Sequence, residues 1–335
     1  MNGRLRGVAA TALLYAVGWG APVMAADDPT VYDVDYLVER QQDVSDQVTA
    51  TAMWIDSFFD DPRVKREKNQ TRWSFTLDGS VEEGKGIETS FANELRLLLP
   101  TAEKRGQIYF SALSDDKREP LALSSETGPS VVRRPGDQNK GVTAGVGFFV
   151  QDLDERTVRL DGGAYFVALT PRFYGGVTSR MTWVAHLWEI RFTQKIHWYQ
   201  ETAFEAHAAV DVDRDMGKGR LLRFSTQTSW YDDRPGFFYG QVVNWFSLLG
   251  PNEAVQYDAF IWFSSTPYHK LDDQGIRFAY RRRLTGTWLY GELATWMRFP
   301  RERDFQRTVG GLARIDLYFG DTSSFASEED DVKLY

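Results

Sequence analysis

From residue 71 onward this chain changes sides every residue, and that period of two constrains its fold more than any other feature. In the run 308–319, Val309, Gly311, Ala313, Ile315, Leu317 and Phe319 fall on one side, while Leu312, Arg314, Asp316 and Tyr318 fall on the other. Side chains of a β-strand alternate between the two faces of its sheet, so this run is a strand with one apolar face and one charged face. The run 186–199 repeats the pattern, with Trp188, Ile190, Phe192, Ile196 and Trp198 set against Glu189, Arg191, Thr193, Lys195 and His197. Trp73, Phe75 and Leu77 alternate with Arg72, Ser74, Thr76 and Asp78; Phe91, Leu95 and Leu97 alternate with Glu94 and Arg96.

Further runs cover 107–112, 141–150, 156–168, 172–183, 202–213, 219–230, 237–249, 253–265, 274–286 and 287–299. That makes about fourteen strands, or twelve if the weaker runs 71–81 and 172–183 are not embedded. A mean hydropathy of −0.42 is too polar for helical membrane spans, and after residue 20 there is no stretch of some 18 apolar residues to form one. Any membrane crossing is therefore made by strands. Alternation alone also fits a soluble β-sandwich. The aromatic residues decide between the two. They gather at run ends, as Trp198-Tyr199, Trp230-Tyr231, Phe237-Phe238-Tyr239, Trp262-Phe263, Trp288 with Tyr290, and Tyr318-Phe319, where amphipathic rings form girdles at the two membrane interfaces. The expected fold is all-β, an antiparallel transmembrane β-barrel over 71–320.

The flanking segments read differently. Arg4 and Arg6, an apolar run over 8–17 and Val23-Met24-Ala25 form a secretory signal over 1–25. Its removal takes away two Arg and no acid, which moves the formal charge from −8 to −10. A charge of that sign excludes nucleic acid as a partner. In 31–62, Leu37, Val44, Val48, Ala52, Ile55 and Phe59 recur at helical spacing until Asp60-Asp61-Pro62 ends the pattern. This short N-terminal helix is expected to be periplasmic: an arm, a plug, a docking site for a periplasmic partner, or a cover over the barrel mouth. The polar segment 114–140 is a long loop, and 321–335 is an acidic tail. An even strand count with both barrel ends in the periplasm puts the short connections at 100–106, 217–219, 250–252 and 284–286 on the periplasmic side and the long loop outside.

Chain and motif together resemble Gram-negative outer-membrane β-barrel proteins. Thr308, Gly310, Ala313 and Ile315, with Phe319 closing the strand, resemble the polar-x-Gly-x-x-apolar-x-apolar signal by which that class is recognised for insertion. The resemblance implies residence in the outer membrane, contact with its lipids and handling by the barrel-assembly machinery. The chain departs from the usual pattern by placing Ala313 where an aromatic is common and by continuing past Phe319.

The inward faces hold the candidate site. Arg191, Arg277, Arg281, Arg283 and Arg314, with Glu189, Asp258 and Asp316, are expected to line the lumen, either as walls of a narrow aqueous path or as salt bridges that brace and fill it. A pore or transport channel is the leading function, and a closed barrel that docks a periplasmic partner through 31–62 is the alternative. A lipid- or lipopolysaccharide-modifying enzyme comes third. It would need a Ser beside a His on the lipid-facing side; His186 and Ser179 share that face by parity, but no spacing pairs them, and no catalytic residue is assigned. No cofactor is implied. Asp211, Asp213 and Asp215 with Gly217 resemble a calcium loop, yet the glycine comes one position late and Leu222 stands where a bidentate Glu is needed, so the stretch reads as a hairpin and no metal site is assigned. The chain has no Cys, which excludes disulfides, thiolate ligands and a lipidated cysteine anchor.

Overall fold

The computed structural model describes Phe58 and residues 72–99, 106–113 and 141–320, apart from 154, 168, 169, 186, 234, 235, 267 and 287. The segments 1–25, 114–140 and 321–335 lie outside these residues, as does 31–62 except for Phe58, which is helical. His186 lies outside them too.

Fourteen strands follow one another: β1 (Arg72–Glu82), β2 (Lys85–Leu99), β3 (Gly106–Leu113), β4 (Gly141–Leu153), β5 (Arg156–Val167), β6 (Thr170–Ala185), β7 (Trp188–Tyr199), β8 (Ala203–Asp215), β9 (Arg220–Tyr231), β10 (Phe237–Gly250), β11 (Glu253–Ser264), β12 (Lys270–Thr285), β13 (Leu289–Arg298) and β14 (Thr308–Gly320). Each pairs antiparallel with the next, and β14 returns to β1 with Trp73 opposite Phe319 and Asp78 opposite Arg314, which closes the sheet. Closure leaves no strand edge with unpaired backbone groups, the condition for a sheet to stand in lipid. The two weaker runs are full members of the barrel: β1 has 11 residues and β6 has 16, so the count is fourteen rather than twelve.

Strand parity sorts the side chains. On β7, Glu189, Arg191, Thr193 and His197 are buried inside, whereas Ile196 and Trp198 lie on the outer surface. On β14, Arg314, Asp316 and Tyr318 turn inward, and Val309, Ile315 and Phe319 are exposed outward. The barrel has a terminal end, where β1 begins and β14 finishes, and a loop end. Outward aromatics mark both. Trp73, Trp183, Trp288 and Phe319 ring the terminal end, and Phe173, Trp198, Phe204 and Phe237 ring the loop end. At most of the doublets noted in the sequence, one ring joins a girdle and its neighbour enters the lumen: Trp198 and Phe319 face out, Tyr199 and Tyr318 face in.

Two inward glycines show how the wall accommodates large rings. Tyr109 on β3 reaches over β4 and β5 to meet the Tyr174 hydroxyl on β6, across Gly163, where an added Cβ would lie 2.6 Å from Gly145 Cα and 2.9 Å from that hydroxyl. Gly176 on β6 likewise clears the way for His197 on β7 to reach Asp161 on β5; a Cβ there would lie 2.6 Å from His197 Nε2.

Candidate functional site

The inward charges predicted from parity form two networks on the lumen wall. The first spans β7 to β9. Arg191 donates to Glu189 (3.0 Å) on its own strand and to Asp213 (2.8 Å) on β8, and Asp213 also accepts two bonds from Arg223 on β9, at 2.7 and 2.8 Å. Asp213 and Arg223 are fully buried. The calcium-like stretch is thus part of the wall: Asp213 is bound by guanidinium groups, and Asp215 accepts from the Gly217 N–H (2.7 Å) to shape the hairpin.

The second network runs from β10 to β1. Asp258 accepts from Asn244 (2.6 Å), Gln256 (2.7 Å) and Arg277 (3.3 Å). Arg277 also binds Glu292 on β13 (2.7 Å). Glu292 in turn binds Arg281 (3.1 Å), and Arg281 reaches over β13 to Asp316 on β14 (2.7 Å), which accepts from Thr76 on β1 (2.7 Å). Arg314 lies 3.9 Å from Asp78. Nearer the loop end, Arg298 binds Asp273 (2.7 Å) and Glu82 (3.0 Å). These links join strands no more than two apart, so they follow the wall instead of crossing the lumen. Burial of a charge is tolerated only when paired and hydrogen-bonded, which is why each guanidinium meets carboxylates on neighbouring strands.

Seven of the eight lumen candidates therefore meet in these networks: Glu189 and Arg191 in the first, and Asp258, Arg277, Arg281, Arg314 and Asp316 in or beside the second. Arg283 stands apart at the terminal end, 5.9 Å from the Tyr290 ring centroid and 3.4 Å from the Asn252 side chain. Parity identifies Glu292 and Asp213 as inward, but their role emerges only from the register that sets Glu292 opposite Arg281 and Asp213 opposite Glu189.

The residue that sequence reasoning missed is Phe58. Helical spacing picks out its neighbour Phe59, but Phe58 is the ring that is buried (2% exposed), in one apolar cluster with Leu221, Phe246, Ala254, Tyr290 and Tyr318. All five are inward residues at the terminal end, on β9, β10, β11, β13 and β14. Phe58 stands edge-to-face on Tyr290, centroids 5.7 Å apart and planes at 86°.

The structure does bring a serine beside a histidine, though inside the barrel. Ser229 Oγ lies 2.9 Å from His207 Nδ1 across β8 and β9. Glu205 is 3.9 Å from the other ring nitrogen, beyond hydrogen-bond reach, so the three do not form a proton relay. Ser229 and His207 are a wall contact, packed under Tyr231.

No family model and no curated protein matches the sequence. Among solved structures the chain is similar to OprB of Pseudomonas putida (7% identity, 75% of this chain and 93% of that one, TM-score 0.46). It is also similar to OmpT, an outer membrane protein of Vibrio cholerae (7%, 74% and 97%, 0.44), and to the outer membrane channel DcaP of Acinetobacter baumannii (9%, 75% and 96%, 0.39). The strand pairing of the chain itself, not these likenesses, establishes its fold.

Proposed function

We propose that this chain is a β-barrel of the Gram-negative outer membrane that serves as a narrow pore or transport channel, with the Arg277–Glu292–Arg281 network on its path. The membrane reading draws on the outer face: Val146, Phe148, Leu160, Ile276 and Leu293 are 47–61% exposed between two aromatic girdles, an apolar surface of an extent that soluble monomers rarely show. One observation carries the channel reading. The lumen holds Phe58, a side chain that does not belong to its wall. Barrels of about eight strands are filled by their own side chains, whereas about sixteen leave an aqueous channel. Fourteen strands fall near the latter, and ion pairs that follow the wall leave the axis free of wall charges.

Planar-bilayer recording of the refolded full-length protein tests this. Discrete ion-current steps are expected, and absence of current from both the wild type and Phe58→Ala would reject the channel. The burial of Arg281 and Glu292 (1% and 4% exposed) supports the second reading, a closed scaffold that docks a periplasmic partner through 31–62; such silence would favour it.

A further inference from the structure

On the outer face, one band of adjacent strands carries polar side chains where lipid contact calls for apolar ones. Ser179 (β6), Gln194 (β7), Ala208 (β8) and Thr228 (β9) stand opposite one another in successive strand pairs, and Thr226 on β9 stands opposite Gln241 on β10. Their sequence neighbours Thr193, His207, Ala209, Ser225, Gln227 and Val242 are the buried inner residues, and directly paired residues share a face, so the whole band points outward. Among the described residues, the side chains of Ser179, Gln194, Thr226, Thr228 and Gln241 make no hydrogen bond. Other outward polar groups are satisfied within the wall: Asn93 accepts from Trp73 Nε1 (2.8 Å), and Thr295 donates to the Gly310 carbonyl (3.0 Å). On a face set in hydrocarbon there is no water to take up the rest, and another protein surface is what can satisfy them.

The layout of the band says which surface fits it. β7 and β9 both run from the terminal end to the loop end, and Gln194 and Thr226 each stand seventh in a strand of 12 residues. They therefore lie at one depth, on either side of β8. Between them β8 turns only Ala206 and Ala208 outward near its middle, so no long side chain holds a neighbouring wall away. A two-fold axis parallel to the barrel axis and beside β8 sets β7 of one copy against β9 of the other. We infer that two copies of this chain associate side by side through the outer face of β7 to β9, with Gln194 of each copy bonded to Thr226 of the partner subunit. A carboxamide both donates and accepts, as does a hydroxyl, so the pair satisfies both groups and occurs twice. Because the patch carries both members of the pair, the contact closes as a dimer. The proposal rests on the membrane reading of the outer face.

The test uses the refolded full-length protein in lipid vesicles, with density-gradient flotation reporting insertion and heat-modifiable migration reporting a folded barrel. Since the chain has no Cys, copies bearing Gln194→Cys can be mixed with copies bearing Thr226→Cys and oxidised. The mixture is expected to yield a covalent dimer of one copy of each, at least tenfold more than either variant alone. Leu77→Cys is the control, outward on β1 and seven strands from β8 in the closed ring of fourteen; it is expected to give no dimer. Ala208→Trp, which sets a bulky ring beside the axis, is expected to lower the yield of the mixture at least tenfold in barrels that still fold and float. A mixture that cross-links no better than Leu77→Cys, or a yield that Ala208→Trp leaves unchanged, would overturn the dimer while flotation keeps the membrane reading. Folded protein that does not float would overturn both.

Discussion

Arg281 on β12 reaches past β13 to Asp316 on β14, with Nη1 to Oδ2 at 2.7 Å, while the same nitrogen meets Glu292 on the strand between them at 3.1 Å. One guanidinium thereby binds three strands on the inner wall. Both carboxylates are nearly inaccessible (4% and 3% exposed), so loss of this cation would leave them desolvated beside fewer partners.

Arg281→Ala is expected to destabilise the barrel by about 3–5 kcal/mol, the cost of breaking a buried ion pair from one side. Arg282→Ala, one residue along but outward and largely exposed, removes only a surface contact to Glu253 at 3.5 Å and is expected to change stability by less than ~1 kcal/mol. Urea unfolding in lipid vesicles would separate the two; equal effects would contradict the bracing role of Arg281.

Gly163→Ala forces a Cβ against the backbone of β4, where neither Ala144 nor Gly145 has a flexible group to move aside. The expected cost is about 1–3 kcal/mol, with disturbed Tyr109–Tyr174 contact visible in near-ultraviolet circular dichroism. Gly79→Ala is the control: a Cβ at this outward position of β1 meets nothing within 4 Å and should be neutral.

Leu293→Arg places a charge at the middle of β13 on the outer face, where Leu293 is 61% exposed. In a bilayer the expected penalty is about 2–4 kcal/mol. A neutral result in vesicles would contradict the assignment of this face to lipid.

The barrel was legible in the sequence because its determinants are local. Parity places Arg277, Arg281 and Arg314 inside and Ile315 outside without knowledge of any partner strand, and the glycine-rich turn 217–219 marks where β8 gives way to β9. Pairing within the lumen was not legible. That Arg281 binds Asp316 depends on the registers of two strand pairs, and a register shift of two residues would keep every face while changing each partner. Phe58 was hidden for a different reason. Helical periodicity reports which face of a helix is apolar, and it selected Phe59; which ring packs against Leu221, Phe246, Ala254, Tyr290 and Tyr318 is decided by tertiary packing alone.

The most direct test of the central claim, that the paired charges line the path of permeating ions, is the reversal potential of single channels of the refolded full-length protein in a salt gradient. Arg277→Gln with Arg281→Gln leaves Asp258, Glu292 and Asp316 in excess and is expected to shift selectivity toward cations. Glu292→Gln leaves the two arginines in excess and is expected to shift it toward anions. Opposite shifts in folded barrels would place the network on the conduction path, and an unchanged reversal potential in both would contradict it.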